Sequence, residues 1–521
     1  MKMTASTPAH DPATTTDEVA SLREENAALR RRIAWFERQL FGQKSEKRPV
    51  EHPHQASLLG ETPAETPPEG EQVTVTYQRG KAPKQRPDDC VTDSGLRFSA
   101  DVPVEVIEVD APELTGPQAD QFELIGTKST FRLAQRPASY VVLRYDRPVL
   151  KRKGSEAPLP SPAPANVLDR SLADVSLLVG LLVDKFQYHL PLHRQHQRIT
   201  EAGITLSRAT LTNLAKRTID LLRPIVDAQL ENVLRSRVLA MDETPIKAGK
   251  AGPGKLKQGW FWPVYGDRHE VVFTYSASRG RQHIEATLRE RFSGTLLSDG
   301  YAAYASYAEQ NAAITHAQCW VHSRRQFLEA EGQEPAAVRK ALDAIAALYR
   351  IEEQIREQRL GGDKKQQYRL THSKPVVDGF FDWCECQLRR GDLTPSHPLR
   401  QALGYVVRRE PALRVFLEDP DVALDTNHLE RTLRPIPMGR KAWLFCWTEL
   451  GAEHVGIIQS LISTCKLHEI NPYTYLTDVL LRINQHPASQ VIELTPRVWK
   501  EKFADTPLRS DLYRGVNRSV E

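Results

Sequence analysis

Apolar positions near the start of the chain repeat in steps of three and four. Over residues 17–43 this repeat predicts a coiled coil, because the spacing places the apolar side chains on one seam of a helix. Asn26 stands at an a position, where one polar residue fixes the register and favours a parallel dimer. An amphipathic helix packed on its own protein is the alternative, but the charged flanks favour self-association. The seam consists of Leu22, Asn26, Leu29, Ile33, Phe36 and Leu40.

The hydrophobic pattern then changes to short alternating runs between two proline-containing segments. Residues 44–72 combine prolines with acidic and polar residues, a composition typical of linkers. Alternation of apolar and polar residues predicts a small β-rich domain over 73–153. Four prolines spaced two apart predict a second linker over 154–170.

A helical pattern follows over residues 171–235. Its middle has the outline of a helix-turn-helix, with Gly203 in the turn and a polar, basic start to the second helix. Arg194 and Arg208 are the side chains that such a motif would bring to DNA. Helix pairs joined through glycine are also common in all-α domains, so packing alone is an equal alternative.

Two apolar runs farther along, 238–241 and 294–298, each end in an aspartate, Asp242 and Asp299. Three strands, a helix, a strand and another apolar segment succeed one another over 236–322, which predicts a mixed α/β sheet with the two aspartates within reach of each other. Amphipathic, arginine-rich helices over 323–424 predict an inserted all-α domain. Residues 425–482 would complete the core, and 483–521 would form a C-terminal tail.

Asp242, Asp299 and Glu430 are candidate ligands for divalent cations. Three carboxylates can hold two Mg²⁺ ions about 3.5–4 Å apart for phosphodiester chemistry. Each residue also has a plainer explanation, because an aspartate that ends a strand often only forms a turn. For Glu430 that explanation is a capping box, since Asn427 stands three residues before it. Capping and metal binding by Glu430 are compatible, because the positive end of the helix favours the ionised form of a glutamate in the first turn.

Basic residues lie close in sequence to these carboxylates and are suited to contact a phosphate backbone. Trp443 lies near one group of them, where core packing is favoured over base stacking. His316, Cys319 and His322 lack a fourth zinc ligand, so a structural or substrate-facing role is expected instead. For His322 and its neighbours a surface ion pair is an equal alternative. The candidates are His322, Arg324, Arg325, Arg431, Arg434, Arg440 and Lys441.

Composition narrows the class of protein. The formal charge is +4 over 521 residues, so any nucleic-acid surface must come from local clustering. The six cysteines are scattered, which fits a reducing cytoplasm rather than a secreted disulfide framework. We expect a cytoplasmic protein with no membrane insertion, since the longest uncharged apolar run is too short to cross a bilayer.

Several motifs together resemble the IS66 family of insertion-sequence transposases, which belongs to the DDE transposases. The resemblance covers almost all of the chain from the predicted zipper, which ends in residues 40–47 (LFGQKSEK), to the C-terminus. Its motifs are residues 188–195 (YHLPLHRQ), 241–244 (MDET), 298–301 (SDGY), 319–327 (CWVHSRRQF), 427–431 (NHLER), 439–445 (GRKAWLF) and 471–476 (NPYTYL).

The resemblance implies a ribonuclease-H-like catalytic core with a helical insertion before Glu430. It also implies that Asp242, Asp299 and Glu430 are the catalytic triad and that Mg²⁺, for which Mn²⁺ can substitute, is the cofactor. Two small accessory proteins of the same element are expected as partners. Family members carry paired cysteines in a zinc module where this chain has only Cys90, so no structural zinc is expected. Residues 446–452 also depart from the small, glycine-rich sequence usual in the family.

The leading hypothesis is a bacterial, nucleoid-associated transposase. It would bind the terminal inverted repeats of its own element, cleave DNA and transfer the freed 3′ end to target DNA. The alternative is a catalytically silent DNA-binding protein, a degenerate copy acting as a repressor at element ends. Strand transfer in the presence of Mg²⁺ distinguishes the two.

Overall fold

The computed structural model describes residues 90–91, 96–98, 102–114, 119–136, 139–153, 158–160, 164–288, 291–443, 446 and 448–513. These residues belong to one compact unit, Lys84–Glu521. The coiled coil predicted over 17–43 and the linker predicted over 44–72 lie outside the described residues. Both therefore stay predictions.

A small β-rich region comes first. Its strands are β1 (Cys90–Val91), β2 (Arg97–Phe98), β3 (Val104–Glu108), β4 (Phe122–Arg136), β5 (Ser139–Arg152) and β6 (Pro158–Pro160). Strands β4 and β5 form a long antiparallel hairpin, and β3 pairs with β5 in parallel. Strand β6 also pairs with β5, so part of the proline-rich segment extends this sheet.

Three helices follow: α1 (Val175–Phe186), α2 (Leu192–Glu201) and α3 (Arg208–Val233). Between α2 and α3 the chain turns at Gly203, whose φ of 81° favours glycine, and forms strand β7 (Ile204–Thr205). Strand β7 pairs with β2, which fixes this turn to the β-rich region. Helix α3 starts only at Arg208, where the side chain of Ser207 accepts a hydrogen bond from the N–H of Thr210.

The central sheet contains β8 (Val238–Met241), β9 (Thr244–Gly252), β10 (Lys255–Gly266), β11 (Val271–Ser276), β12 (Gly294–Ser298) and β13 (Ile314–Gln318). Its order is β11-β10-β8-β12-β13, and β9 pairs with β10. The first pairs are antiparallel, whereas β8, β12 and β13 run parallel. Helices α4 (Arg281–Leu288) and α5 (Ala302–Glu309) lie between the later strands in sequence. Strand β8 is buried throughout, as its apolar sequence predicts.

The helical insertion contains α6 (Trp320–Glu329), α7 (Pro335–Glu357), α8 (Gly362–Leu388), α9 (Pro398–Val407) and α10 (Glu410–Glu418). Arg369 of α8 is fully buried at its centre. Its guanidinium donates to both oxygens of Glu352, each at 2.8 Å, and to the carbonyl oxygens of Phe416 and Val422 at 2.8 and 3.0 Å. Arg369 thus satisfies carbonyls at the end of α10 and in the loop that returns the chain to the core.

The remaining helices are α11 (Asn427–Leu433), α12 (Pro435–Trp443), α13 (Glu449–Leu467), α14 (Pro472–Arg482) and α15 (Pro496–Lys502), with a 3-10 helix at Ala488–Leu494. Helix α13 packs closely on β11. Its Gly456 has no room for a side chain, because a Cβ would come within 2.5 Å of the carbonyl oxygen of Phe273. Within the described part of the chain, no helix has the length and apolar character needed to cross a membrane.

Candidate active site

Asp242 and Asp299 follow neighbouring parallel strands at the point where each strand ends. Strand β8 pairs with β12 in a register that sets Ala240 beside Leu297. Continued for two residues, the same register sets Asp242 beside Asp299, on one face of the sheet because side chains alternate. Neighbouring strands lie about 4.8 Å apart. We call this place the carboxylate edge (Asp242 and Asp299).

Local hydrogen bonds orient both carboxylates. Oδ1 of Asp242 accepts from the N–H of Glu243 at 2.7 Å. Oδ1 of Asp299 accepts from the N–H of Tyr301 at 2.8 Å, which forms a tight turn after β12. In each case one carboxylate oxygen is bound by backbone, and the second oxygen is available to a ligand.

Glu430 lies in the first turn of α11 and is half-buried. The capping box predicted at Asn427 is wrong, because α11 begins at Asn427 and its cap is Thr426. Asp425 instead accepts from the N–H of Asn427 at 2.9 Å and from its Nδ2 at 2.5 Å. Glu430 is therefore not used to cap its own helix.

The electrostatics of Asp242 connect the acidic residues. Burial is the largest cause that raises the pKa of Asp242, to about 7, and the hydrogen bond from Glu243 opposes it. The negative charges of Asp299, Glu243 and Glu430 raise this pKa further. The charges of Asp299 and Glu430 thus both act on Asp242, and that of Glu430 is the smallest of these causes.

The repulsion between Asp242 and the neighbouring carboxylates bears on whether this site suits a metal ion. Over the residues that the structure describes, no group of three or more His, Cys, Asp or Glu side chains has the arrangement of a complete metal site. Magnesium commonly binds one or two carboxylates and fills its shell with water and substrate phosphate oxygens. Asp242, a half-buried carboxylate whose pKa the neighbouring carboxylates raise, fits such a cation, because the charge of the cation offsets their repulsion.

Glu243 has a different role from its neighbour Asp242. Tyr304, which is fully buried, donates to Oε2 of Glu243 at 2.9 Å, and Arg279 forms an ion pair with Oε1. Burial raises the pKa of Glu243, while the bonds from Arg279 and Tyr304 lower it. The guanidinium of Arg279 also lies 4.2 Å from the ring centre of Tyr301. Glu243 therefore ties the end of β8 to the Asp299 turn and to α5.

His322 lies near the same acidic groups. Burial keeps the pKa of His322 below its ordinary value, with Arg325 acting in the same direction and Asp299 and Glu430 opposing. Its Nδ1 atom is buried without a hydrogen-bond partner among the described residues. An imidazole in this place is suited to approach substrate bound at the carboxylate edge.

His316 and Cys319 have partners that explain them without zinc. Nε2 of His316 lies 2.9 Å from Oγ of Ser298, and Sγ of Cys319 accepts from the N–H of Thr426 at 3.4 Å. The contact of Cys319 ties the segment before Glu430 to the end of β13.

The predicted basic residues fall into two groups. The last residue of β13, Gln318, pairs with Ser298, which directly precedes Asp299. Helix α6 starts two residues later, so its first turns, which carry His322, Arg324 and Arg325, follow the same end of the sheet as Asp299. On the Glu430 side, Arg440 donates to the carbonyl oxygen of Pro245 in β9. The side chains that are exposed here are Arg324, Arg325, Arg431, Arg434 and Lys441.

Arg194 and Arg208 are the exception to this grouping. Arg194 lies on α2 and Arg208 is the first residue of α3, and both are exposed. Neither belongs to the sheet that carries Asp242 and Asp299.

The helical insertion contacts the Asp299 turn directly. Arg409 donates to the carbonyl oxygen of Gly300 at 3.0 Å, and its guanidinium stacks 3.9 Å from the ring centre of Tyr405. A Cβ on Gly300 would come within 1.9 Å of the Tyr405 hydroxyl. The glycine that follows Asp299 therefore admits a side chain of the insertion rather than another backbone.

Comparison with known proteins identifies the family. The model described as Transposase IS66 family matches residues 170–454 of the 521-residue chain, which is more than half of it. The chain belongs to the IS66 family of transposases. The IS66 C-terminal element matches residues 460–497, and the model described as Transposase C of IS166 homeodomain matches residues 28–107. Membership of this family implies DNA binding and a role in transposition, and it confirms the resemblance that the motifs predict.

Two relatives of this IS66-family transposase come from Sinorhizobium fredii (strain NBRC 101917 / NGR234), and both are named as uncharacterized proteins. The protein y4hP is 31% identical over 406 residues, which cover 73% of this chain and 72% of the relative. The protein y4qI is 30% identical over 412 residues, which cover 75% and 74%. The similarity thus extends over most of each protein.

Sequence reasoning missed the residues of the transposase that support its carboxylate edge. Arg279 and Tyr304 reach Glu243 from 36 and 61 positions away, and Arg409 reaches Gly300 from 109 positions away. No local pattern marks such partners. The one available signal was the SDGY motif itself, because a glycine directly after an acidic strand end indicates a close approach.

Proposed function

We propose that this protein catalyses metal-dependent DNA cleavage and strand transfer at the terminal inverted repeats of its insertion sequence. The observation that carries the proposal is the shared register of β8 and β12, which aligns Asp242 with Asp299. The influence of Glu430 on the pKa of Asp242 supports its inclusion as the third acidic residue. Family membership makes DNA the expected substrate.

The central sheet supports a ribonuclease-H-like core for this activity. Strands β8, β10 and β11 pair antiparallel, with β9 added on β10, and β12 and β13 follow and run parallel to β8. Strand β8 therefore occupies the middle of the order β11-β10-β8-β12-β13. In such a sheet the carboxyl ends of the parallel strands meet at one edge, where ligands commonly bind. The α6–α10 insertion separates that sheet from α11 and Glu430 in sequence.

Asp242, Asp299 and Glu430 would hold Mg²⁺, or Mn²⁺ in its place. When bound, these ions lower the pKa of an attacking water or 3′-hydroxyl and stabilise the leaving oxygen. The protein's part is to position and orient the carboxylates, and the charge of a bound cation would favour the ionised form of Asp242. Backbone N–H groups fix Oδ1 of Asp242 and of Asp299, and Arg279 and Tyr304 bind the carboxylate of Glu243.

His322 and the exposed arginines would bind the DNA backbone next to the carboxylates. Arg324 and Arg325 lie on the helix that follows β13, and Arg431 and Arg434 lie on and just after the Glu430 helix. Cations on both sides of the carboxylate edge would attract phosphates and offset the negative charge of the acidic groups. The substrate would thus lie across the edge between α6 and α11.

The experiment is a strand-transfer assay with Mg²⁺ on DNA that carries the element ends. Asp242→Asn, Asp299→Asn and Glu430→Gln should each reduce transfer below detection while leaving end binding in a gel-shift assay largely intact. Asp382→Asn, at an exposed position of α8, is the matched control and should retain activity. Transfer by any of the three variants at the wild-type rate would defeat the assignment of that residue. A wild-type protein that binds ends without transfer would favour the catalytically silent alternative.

A further inference from the structure

A cavity of about 600 Å³ is lined by residues of β13, α5 and α10 and reaches to within one residue of Asp299 in sequence. Its volume is within the range of sites that bind small organic molecules. Gly300 is part of its wall. The apolar part of the wall includes Ala302, Ala305, Ile314, Pro411 and Ala412.

Two polar groups that line this cavity have unmet hydrogen-bonding capacity. The side-chain oxygen of Gln318 is buried without a partner among the described residues, and Gln318 as a whole is only 7% exposed. Nε of Arg409 is likewise buried and unpartnered there, although the other guanidinium nitrogens bind the carbonyls of Tyr405 and Gly300. A buried polar group without a partner costs about 1–3 kcal/mol, so each of these two groups calls for a partner such as a water, an ion or a ligand.

The side chains of Gln318 and Arg409 together offer a ligand both hydrogen-bond donors and an acceptor. Gln318 offers a carboxamide, with a donor beside an acceptor, and Arg409 offers a fixed N–H donor. Arg408 and Arg409 outnumber Glu309 among the charged side chains that line the cavity, which favours an anionic ligand. A flat ligand with donors and acceptors on its edge and a phosphate attached would satisfy all of these features.

We propose that this cavity takes a nucleobase turned out of the DNA strand that lies over the carboxylate edge. The inference rests on the proposed function, because DNA at Asp299 is what brings a base to the mouth of the cavity. The edge of the base would bind the carboxamide of Gln318 and Nε of Arg409. Its faces would lie between the apolar walls of α5 and α10. Turning out one nucleotide costs a few kcal/mol of stacking and pairing, which these contacts would offset.

The test uses duplexes that carry the element end with a single 2-aminopurine, placed at successive positions of the strand to be cut. The fluorescence of 2-aminopurine rises when the base leaves the stack. We expect a rise of several-fold at one position near the cleavage site with the wild-type protein. Gln318→Leu, which keeps the volume but removes the carboxamide, should weaken that signal about tenfold at matched protein concentration.

Filling the cavity is the sharper variant. Ala305→Trp should abolish the signal, whereas Ala312→Trp, at an exposed turn position that does not line the cavity, should leave it unchanged. Thermal unfolding of both variants establishes that each is folded. If Ala305→Trp does not fold, Gln318→Leu alone decides, and an unchanged signal with that variant overturns the proposal.

The same duplexes separate failure of this inference from failure of the proposed function. Normal cleavage with no fluorescent position overturns the base site and leaves the function standing. Absence of both end binding and cleavage overturns the proposed function, and the base site with it. Free dAMP, measured by saturation-transfer NMR, is the remaining arm: micromolar binding of dAMP together with silent duplexes would assign the cavity to free nucleotide and contradict the proposal.

Discussion

Replacing Asp242 with Asn is expected to stabilise the folded protein above neutral pH. Burial, together with the charges of Asp299, Glu243 and Glu430, raises the pKa of Asp242 from 3.8 to about 7. At about 1.4 kcal/mol for each pKa unit, this difference corresponds to at most about 4 kcal/mol of destabilisation by the ionised carboxyl. Because the side chain is partly open to solvent and can relax, we expect a gain of about 2 kcal/mol for the variant.

The sign of the pH dependence follows from the raised pKa. Well below the ordinary pKa of 3.8 the carboxyl is protonated in the folded and the unfolded protein, so Asp242 costs nothing. As the pH rises toward 7 the unfolded state loses its proton first, and the folded protein becomes relatively less stable. Asn cannot ionise. The difference in unfolding free energy between the variant and the wild type should therefore grow from about pH 5 to about pH 8.

Urea unfolding followed by tryptophan fluorescence measures this difference at both pH values, with Asp382→Asn as the exposed control. Mg²⁺ should stabilise the wild type at pH 8 and have little effect on Asp242→Asn, because only the wild type has the full set of carboxylates. A correctly folded Asp242→Asn variant that is no more stable than the wild type at pH 8 would refute the electrostatic argument.

Three further substitutions test other contacts. Gly300→Ala would place its Cβ 1.9 Å from the Tyr405 hydroxyl, so we expect the free energy of unfolding in urea to fall by about 1–3 kcal/mol. Unchanged stability would show that the turn or Tyr405 moves to make room. Arg369→Met removes the donor to Glu352 and should lower the free energy of unfolding by about 3–5 kcal/mol in the same measurement. A decrease below about 1 kcal/mol would contradict this expectation. Arg434→Ala should reduce the slope of log affinity for DNA against log salt by about 0.9 in fluorescence anisotropy, and an identical slope would exclude a phosphate contact.

The strands that carry the aspartates could be predicted because their signal is local. Residues 238–241 and 294–298 are apolar runs, and both form strands that are almost wholly buried. Strand β9 was missed, since its sequence contains lysines and glycines and its pairing with β10 has an irregular register. The order of the strands needed the structure, because pairing depends on contacts between residues distant in sequence.

In the candidate site, too, the features with a local sequence signal could be predicted and the contacts between distant segments could not. The motif with Asp299 and Gly300 is visible in the sequence, but the Tyr405 hydroxyl that fills the space above Gly300 comes from the insertion. The capping of α11 was predicted wrongly because Asp425, two residues before Asn427, competes for the same N–H groups. The loop that leads to α11 and Glu430 is bound by the insertion, for example through the bond from Arg369 to the carbonyl oxygen of Val422, which no short pattern reveals.

The most direct test of the central claim is anomalous diffraction from crystals of the protein bound to an element-end duplex and soaked in Mn²⁺. The account predicts peaks within about 2–2.3 Å of carboxylate oxygens of Asp242 and Asp299, with Glu430 and a DNA phosphate completing the coordination. Bound DNA with no manganese at these carboxylates, or manganese held elsewhere, would contradict it.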